Sequence, residues 1–478
     1  MALAAAMMEV VPATPLIGRS AELERLGSLI GLGPSEEVST AVLVGGDAGV
    51  GKTRLITELI AAFTGSGGQA SVGHCVDLGD SPLPYLPFTQ ILGGIAYESA
   101  AQAEALVRRR PALHRLMPVT GNGAEENSQL TATDRSNLFE AVAAIFDHLA
   151  ASQRLLWVVE DVHWADRSTR EMITYLLSHP PANPATLIVT YRLDDLHRRH
   201  PLRPVLSEWS RLPGVERLRV PPLDESEVRG MLRALQGSDL SEADVVAIVS
   251  RAEGNPFFVE ELVGASGGGS RLLPADLSDL LLVRIDTLDE TARTVVKAAS
   301  VAGREVSHGL LAAVMSVDEA DLEAALRAAV DAKVMVATRG DSYAFRHALL
   351  SEAVYGDLLP GERVRLHAAY ARALSDHPTA GTAADLARHA RGARDPVTAA
   401  KASVLAGDEA ISLAAPDEAL GQYEAAIGIL AEIGPATAES TGIDPIDVTV
   451  RASDAAMVAG QPIRALKLLQ DQLSDLPA

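Results

Sequence analysis

The first part of the chain, to about residue 223, alternates between short apolar runs and longer segments whose apolar positions recur at helical spacing. Glycine, proline or polar residues bound each apolar run, which is typical of buried strands. Because strands alternate with helices, the pattern predicts a parallel sheet covered by helices on both faces. The predicted strands are 41–46, 69–78, the start of 154–177, 185–192 and 215–223.

Capping signals predict where several helices of this region begin. Residues 16–30 have apolar positions at helical spacing behind Ser20, which is a predicted N-cap. The helix within 154–177 is expected to begin at Asp166 or Ser168, and Glu171 would complete a capping box with Ser168. Further helices are predicted at 52–63 and 133–151.

After Pro222 the pattern becomes mainly helical. One β pair is predicted within 333–347, with its turn at 339–341, and helices surround it, which is the outline of a winged helix. From residue 361 onward only helices are predicted, and two of them carry the A-L-x-x-(Y/L) pattern of paired helical repeats. The clearest helices are 224–235, 241–252, 253–263, 417–430 and 461–473.

These patterns divide the chain into successive domains. The patterns alone predict an α/β domain with a parallel sheet, followed by a short helical segment, a winged-helix domain and all-α repeats. Repeats bury their faces against neighbours on both sides, so the array is expected to be incomplete. The predicted boundaries are 1–15 for a disordered lead-in, 16–223 for the α/β domain, 224–272 for the short helical segment, 273–360 for the winged helix and 361–478 for the repeats.

Composition narrows the function without defining it. The formal net charge of −22 makes the chain a poor non-specific binder of nucleic acid, because phosphate repels its mean field. A single cysteine, Cys75, excludes an intrachain disulfide and favours a reducing cytoplasm. The sequence contains no signal peptide and no apolar run long enough for a membrane span, so no membrane association is expected.

The stretch "VLVGGDAGVGKTRLITELI" (42–60) combines a strand, a glycine-rich turn and a helix. Gly46, Gly51, Lys52 and Thr53 fit the phosphate-loop pattern G-x-x-x-x-G-K-[ST]. In such a loop, backbone N–H groups at the helix N-terminus face an anion, the lysine reaches the β and γ phosphates, and the threonine hydroxyl ligates Mg²⁺. The stretch therefore predicts a site for ATP or GTP.

Two other strand ends carry residues that would complete this site. "LLWVVED" ends in Glu160 and Asp161, one of which would belong to the Mg²⁺ shell while the other polarises the attacking water. "IVTYR" ends in Arg192, which would sense the γ-phosphate through charge-assisted hydrogen bonds. The alternatives are acidic residues that only form a turn and an arginine that only lies on the surface.

Two more candidates come from later segments. "EGNPFF" places Pro256 just inside a helix start, after a turn suited to a position near a ligand, although proline is common there for structural reasons alone. His347 follows the predicted β pair, at a strand–helix junction where a lone histidine is more often structural.

Taken together, the motifs resemble the large ATP-binding LuxR-type transcriptional regulators. These belong to the signal-transduction ATPases with numerous domains (STAND), which are related to AAA proteins. The resemblance extends from about residue 16 to 430, and its motifs occur in the family's order. They are "LIGRSAELERL", "GDAGVGKTRL", "WVVEDVHWADRSTREMITYLL", "LIVTYRLDDLHRRHPLRPVL", "VPPLDESEV", "EGNPFFVEEL" and "YAFRHALLSEAVY".

The resemblance implies a fold class of an α/β P-loop NTPase domain followed by a helical lid at 224–272, a winged-helix domain and all-α tetratricopeptide-like repeats.

The resemblance also implies a role for particular residues. Asp161, Glu160 and Arg192 would be catalytic, and Thr53 and Glu160 would bind Mg²⁺. Glu160 is one methylene longer than the Asp that often occupies its position, which affects metal geometry and hydrolysis rate. His347 is similar to the winged-helix histidine that faces the ADP phosphate in related switch ATPases. The nucleotide-binding residues implied are Gly18, Arg19, Gly46, Gly49, Val50, Gly51, Lys52, Thr53, Arg54, Pro256 and His347.

The family also implies a function, namely a molecular switch that binds ATP or ADP with Mg²⁺ and hydrolyses ATP slowly. A small-molecule or protein inducer on the repeats would control opening and self-association. DNA would be bound only through a helix-turn-helix, which this chain does not contain, so a truncated or shortened relative is expected. The alternatives are the same ATPase module joined to another output, such as a nucleotide cyclase or a kinase, and a mechanical ATPase that works on nucleic acid.

Overall fold

The structure is a computed structural model. It describes residues 16–33, 38–77, 83–117, 132–236, 240–266, 282, 285–303, 305–315, 317–338, 341–433 and 435–474. The disordered lead-in expected over 1–15 lies outside the described residues.

The N-terminal α/β domain contains a five-stranded sheet in which every strand pair is parallel. The strand order is β2-β3-β4-β1-β5, so the predicted parallel sheet is confirmed. Two predicted strands end earlier than expected, since β2 stops at His74 and β5 at Arg219. The strands are Ala41–Gly46 (β1), Gln69–His74 (β2), Leu155–Glu160 (β3), Ala185–Arg192 (β4) and Val215–Arg219 (β5).

Helices cover both faces of this sheet, and alternate residues of a strand enter opposite cores. Val42 and Val44 pack in one core with Leu55 and Phe63, whereas Leu43 packs in the other with Trp157. β1, β3 and β4 are buried along their whole length, which explains their continuous apolar runs. The helices are Ser20–Leu29 (α1), Lys52–Gly65 (α2), Leu86–Glu98 (α3), Ala100–Arg109 (α4), Ala132–Ala150 (α5), Arg167–Ser178 (α6) and Leu202–Trp209 (α7).

One predicted helix start is wrong, and for a second helix one of the two predicted N-caps is confirmed. Helix α1 begins at Ser20 itself, and the N-cap residue is Arg19, whose side chain turns inward instead of capping. In α6 the N-cap is Asp166, which accepts a hydrogen bond from the Thr169 amide. Ser168 lies inside this helix and is engaged by a residue from the far end of the chain, so the capping box with Glu171 does not form.

Two smaller units follow the α/β domain. The three-helix segment consists of Glu225–Gln236 (α8), Glu242–Ala252 (α9) and Pro256–Ser266 (α10), which share a core of their own. The small-sheet unit contains the predicted β pair and a third strand of three residues, which is too short to recognise in the sequence. Its elements are Glu290–Ala302 (α11), Glu305–Ser307 (β6), His308–Val314 (α12), Glu319–Asp331 (α13), Met335–Thr338 (β7), Ser342–Phe345 (β8) and Ala348–Asp357 (α14), and its strand order is β6-β8-β7.

The remainder of the described chain, the helical tail, contains only helices, as predicted. Small residues let these helices approach closely, and the face of α17 buried against α18 is mostly alanine. Within the residues that the structure describes, no helix is long and apolar enough to cross a membrane. The tail helices are Pro360–Asp376 (α15), Ala383–Gly392 (α16), Pro396–Ser412 (α17), Pro416–Glu432 (α18), Pro435–Thr441 (α19), Pro445–Val458 (α20) and Pro462–Ser474 (α21).

The helical tail returns to pack on the α/β domain. Both carboxylate oxygens of Glu418, at the start of α18, accept hydrogen bonds from Ser168, from the amide at 3.0 Å and from the hydroxyl at 2.5 Å. Asp417 forms an ion pair with Arg167 at 2.8 Å, and the Tyr85 hydroxyl donates to the Ala414 carbonyl at 3.1 Å. These polar groups surround alanines of α17, α18 and α20 that belong to the α/β core, so the two regions share one buried interface.

A chain of buried hydrogen bonds joins the small-sheet unit to the first two tail helices. The Arg388 guanidinium only donates, so Nε2 of His389 accepts from it at 2.9 Å. Nδ1 of His389 therefore carries the proton and donates to Nδ1 of His367 at 3.1 Å. Nε2 of His367 in turn donates to the Tyr355 hydroxyl at 3.2 Å. Both imidazoles must be neutral for this chain to exist.

The neutral imidazoles make the stability of this junction sensitive to acid. Burial, reinforced by the Arg388 charge, lowers the pKa of His367 to about 4 and that of His389 to about 2. The unfolded chain takes up these protons near the ordinary pKa of 6.5. The stabilising contribution is therefore complete above pH 6.5 and is lost as the pH falls from 6.5 towards 4.

We expect His367→Gln to weaken the pH dependence of the free energy of unfolding between pH 6.5 and 4 by up to about 3 kcal/mol. Denaturant titrations at a series of pH values measure it. His377→Gln, at an exposed position of the same region, is the matched control and should keep the wild-type slope. An unchanged slope in His367→Gln would show that the buried pair does not titrate in this way.

Candidate nucleotide site

The glycine-rich turn lies between the end of β1 and the start of α2. Gly49 and Gly51 have left-handed φ values of 75° and 96°, which favour glycine. Nζ of Lys52 donates to the carbonyls of Gly46 at 2.8 Å and Asp47 at 2.9 Å, so the lysine is folded back over its own loop. This is a compact loop with its lysine directed at the loop centre.

One amide of the loop already contacts an anionic oxygen. The Ala48 N–H donates to a carboxylate oxygen of Asp194 at 3.2 Å, and Asp194 follows the end of β4. A carboxylate oxygen is chemically similar to a phosphate oxygen as an acceptor. The loop amide therefore faces the kind of group that a nucleotide phosphate would supply, and the residues present fit a phosphate.

Lys52 lies among four charged residues from two strand ends, those of β3 and β4. Burial lowers the pKa of Lys52, Asp161 is the strongest influence that opposes this, and Arg192 lowers the pKa further. Asp194 and Glu160 also raise it, with smaller effects. The structure thus brings the predicted lysine, both predicted acids and the predicted arginine into one electrostatic cluster.

The two acids at the end of β3 point in different directions. Glu160 is only 2% exposed, and its carboxylate lies 3.1 Å from Nδ1 of His74 at the end of the neighbouring strand β2. Asp161 has a left-handed φ of 59°, and its amide donates to the Thr190 hydroxyl at 3.0 Å. Glu160 therefore lies against the adjacent strand, and Asp161 has the stronger of the two effects on the pKa of Lys52.

Arg192 is enclosed on several sides. Its guanidinium lies 4.6 Å from the ring centroid of Trp164, 3.7 Å from Asp195 and 3.1 Å from Glu352 of α14. Its backbone is in register with Gly46, the first residue of the glycine-rich motif. Trp164 thus stacks on the candidate sensor.

The segment before α1 ties the loop to the three-helix segment. Arg19 is 3% exposed and donates to the carbonyls of Val50 at 3.1 Å and Pro221 at 2.7 Å. A Cβ atom at Gly18, whose φ is 68°, would lie 2.7 Å from side-chain atoms of Glu227 in α8. Arg19 therefore ties the loop to the segment before α8, and the absence of a side chain at Gly18 allows α8 to approach closely.

The other predicted residues in α2 and just before it lie in different environments. The Val50 side chain is buried in the core with Val42 and Leu55, so only its backbone belongs to the loop. Thr53 is exposed in the first turn of α2, where its hydroxyl is accessible to a ligand. Arg54 pairs with Glu58 at 2.7 Å along the helix.

Helix α10 begins directly on the phosphate loop. Nδ2 of Asn255 donates to the Ala48 carbonyl at 2.8 Å, and the Phe257 amide donates to the Gly49 carbonyl at 3.4 Å. Pro256 lies between them, with its Cγ 4.0 Å from where a Cβ of Gly51 would be. The turn "EGNPFF" is therefore held against the loop by hydrogen bonds to two consecutive carbonyls.

His347 reaches this site through α10. Its ring centroid lies 4.5 Å from that of Phe257, and its Nε2 lies 3.9 Å from a carboxylate oxygen of Glu260. Phe257 belongs to the core of the small-sheet unit, and its amide contacts the loop. The structure thus connects the predicted histidine to the phosphate loop by way of one phenylalanine.

Several residues of the site were not identified from the sequence. His74, Asp194, Asp195 and Glu352 contact predicted site residues, and only the "YRLDD" run placed two of them beside a predicted strand end. Asn255 lay in a turn judged suitable for a ligand, without an assigned contact. The pairing of β2 with β3 and of α14 with β4 depends on the tertiary fold.

Comparison with known proteins identifies the domain that this site belongs to. Residues 15–189 match the family model of the AAA ATPase domain. The chain carries an AAA-type ATPase domain. The match includes β1, the phosphate loop and β3, and it ends within β4, so the AAA domain supplies Lys52 and both acids.

Two longer proteins are similar to this chain over most of its length. A solved STAND protein with a tetratricopeptide repeat sensor, from Pyrococcus horikoshii, matches with a TM-score of 0.50 and 14% identity, over 96% of this chain and 65% of that one. An uncharacterized protein of Rhizobium meliloti (strain 1021) is 27% identical over 471 residues, which are 89% of this chain and 44% of the relative. The chain thus spans less than half the length of that relative.

A more distant likeness involves the Orc1 protein of Aeropyrum pernix, solved in complex with DNA. It matches with a TM-score of 0.33 and 17% identity, over 73% of this chain and 95% of that chain. The family match and the Pyrococcus horikoshii structure show that the fold is that of an AAA-type, STAND-like ATPase whose remainder is mostly helical.

Proposed function

We propose that the protein is a nucleotide-dependent switch, in which ATP or ADP bound with Mg²⁺ at the phosphate loop sets the arrangement of the units around it. The observation that carries this proposal is the contact of α10 with the loop. Asn255 and Phe257 bond to consecutive loop carbonyls, and Phe257 packs on His347 of the small-sheet unit. A change in the loop is therefore transmitted directly to two other units.

The units take the roles that the sequence suggests. Residues 16–223 bind the nucleotide, 224–272 form a lid, 273–360 a winged-helix domain and 361–478 a repeat region. The hydrogen bonds between Glu418 and Ser168 then connect the repeats to the ATPase domain in the closed state. Self-association follows from opening, because opening exposes surfaces that these contacts bury.

The resemblance to LuxR-type regulators supplies the biological setting. The matched Pyrococcus horikoshii protein has a tetratricopeptide repeat sensor, and we assign an inducer-sensing role to the repeats here. DNA binding in such a regulator requires a helix-turn-helix outside this chain. The chain then acts in transcription as the part that converts inducer and nucleotide into an assembled state, in the cytoplasm.

The site residues have distinct roles toward the nucleotide. Lys52 neutralises charge at the β and γ phosphates, while the amides of the loop and of the α2 N-terminus hold phosphate oxygens. Mg²⁺, when bound, would withdraw charge from the phosphates. Thr53 would help to hold the metal through its hydroxyl. Asp161 would orient the attacking water and help to hold the metal, because Glu160 lies against His74.

This assignment favours slow hydrolysis. The longer acid, Glu160, is buried against a neighbouring strand, which leaves a single acid to serve water and metal. A switch needs only that the nucleotide binds one state more tightly than the other. Moving an equilibrium from 1:99 to 99:1 takes about 5.5 kcal/mol of differential binding, which contacts to Mg²⁺ and the γ-phosphate are able to supply.

We expect Asp161→Asn to reduce the affinity of the nucleotide-bound protein for Mg²⁺ by about tenfold, because it removes a charge-assisted contact. Mg²⁺ titrations with a fluorescent ATP analogue measure the change. Glu160→Gln is the matched variant of the neighbouring acid and should affect thermal stability more than Mg²⁺ affinity. A larger loss of Mg²⁺ affinity in Glu160→Gln would reverse the two roles.

We expect Lys52→Ala to lose nucleotide binding by at least about 100-fold and to lose the opened, self-associated state with it. Equilibrium dialysis measures binding, and light scattering with ATP and inducer measures assembly. Lys401→Ala, at an exposed position of the tail, is the control and should behave as wild type. Normal assembly of Lys52→Ala on inducer would refute the switch, as would turnover of many ATP per second without partners.

The nucleotide that remains on the purified protein tests the same proposal independently. We expect denatured wild-type protein to release ADP, because the closed arrangement holds the loop under α10. Chromatography of the released fraction identifies it. An empty site would favour a freely cycling ATPase over a locked switch.

A further inference from the structure

The ion pair between Arg192 and Glu352 links the end of β4 to helix α14. Nη1 of Arg192 lies 3.1 Å from a carboxylate oxygen of Glu352, a separation of 160 residues along the chain. Arg192 is 9% exposed in its side chain, whereas Glu352 is 48% exposed. The arginine is thus fixed by its surroundings, and the glutamate reaches it from a different unit.

The two carboxylate partners of Arg192 belong to different units. Asp195 lies three residues later on the same loop, at 3.7 Å, and moves with the arginine. Glu352 belongs to the small-sheet unit and moves with α14. Displacement of the small-sheet unit therefore breaks the contact with Glu352 and leaves the one with Asp195.

Helix α14 approaches the candidate site at two points. Its N-cap residue, His347, packs on Phe257, whose amide bonds to the phosphate loop. Glu352, about one turn further along the helix, forms an ion pair with Arg192. The positive charge of Arg192 in turn lowers the pKa of Lys52. The same helix thus contacts both the residue that bonds to the loop and the candidate sensor of the γ-phosphate.

We propose that Glu352 binds the Arg192 guanidinium where a γ-phosphate would otherwise bind it. Glu352 thereby determines which nucleotide the closed state accepts. This inference rests on the proposed switch function and names the residue that regulates it. Arginine stays protonated, so its guanidinium always requires an anionic partner when buried. With ADP no γ-phosphate is present, and the ion pair to Glu352 persists.

With ATP, the γ-phosphate and Glu352 compete for the same guanidinium. Both are anionic acceptors, and their approach to one arginine from two directions adds repulsion between them. The competition raises the free energy of the closed state only when ATP is bound. Glu352 is then a positioning residue, which acts on the nucleotide through Arg192 and distinguishes ATP from ADP.

The test is the nucleotide preference of Glu352→Gln, which keeps the side-chain shape and removes the charge. We expect a non-hydrolysable ATP analogue to bind about three- to tenfold more tightly than to wild type, with ADP affinity changed by less than about twofold. Competition binding against a fluorescent ADP measures both. Asp357→Asn removes one exposed carboxylate from the same helix and should leave both affinities unchanged.

A double-variant cycle tests whether the effect passes through Arg192. In an Arg192→Ala background, Glu352→Gln should no longer change the ratio of the two affinities. Equal changes for ADP and the ATP analogue, the same effect from Asp357→Asn, or a persistent effect without Arg192 would each overturn the inference.

The failure of this inference differs from a failure of the switch itself. If Glu352→Gln does not alter nucleotide preference but wild-type protein still opens and assembles with ATP, only the role of Glu352 is wrong. If wild-type protein shows no ATP-dependent assembly, the proposed function fails whatever the affinities are.

Discussion

The parallel register of β1, β3 and β4 is the constraint on which the site depends. Parallel strands end at one edge of a sheet, so residues from distant parts of the sequence meet there without any local signal. Gly46 faces Arg192 across one strand pair, and the acids of β3 lie beside them. Every other contact of the site is built on this edge, including the lysine folded over its loop and the turn of α10 above it.

The two buried cations at this edge each have acidic neighbours. Lys52 is influenced by Asp161 and Asp194, and Arg192 pairs with Asp195 and Glu352. Uncompensated charges in such a buried position would be costly. In the proposed switch, added phosphate charge displaces some of these partners, and this displacement couples the site to its neighbours.

Local chemistry made much of this predictable from sequence, and long-range contacts account for the rest. The strand, turn and helix around Lys52 are fixed by neighbours in the chain, and so are the ends of β3 and β4. The pairing of Glu160 with His74 was not predictable, because it depends on which strands become adjacent. Arg19 was expected to bind the nucleotide, and no local pattern showed that its side chain would bond to backbone carbonyls. Ser168, one of the two N-cap candidates of α6, bonds instead to Glu418, 250 positions away, while Asp166 caps the helix.

The return of the helical tail to α6 closes the described chain into a circuit. The α/β domain contacts the three-helix segment, which contacts the small-sheet unit, which is joined through the buried histidines to the tail, which again contacts the α/β domain. In the proposed switch, movement of the small-sheet unit away from the phosphate loop therefore strains the hydrogen bonds between Glu418 and Ser168, and release of those bonds lowers the resistance to that movement. The contact of α10 with the loop and the contact of α18 with α6 are then released together.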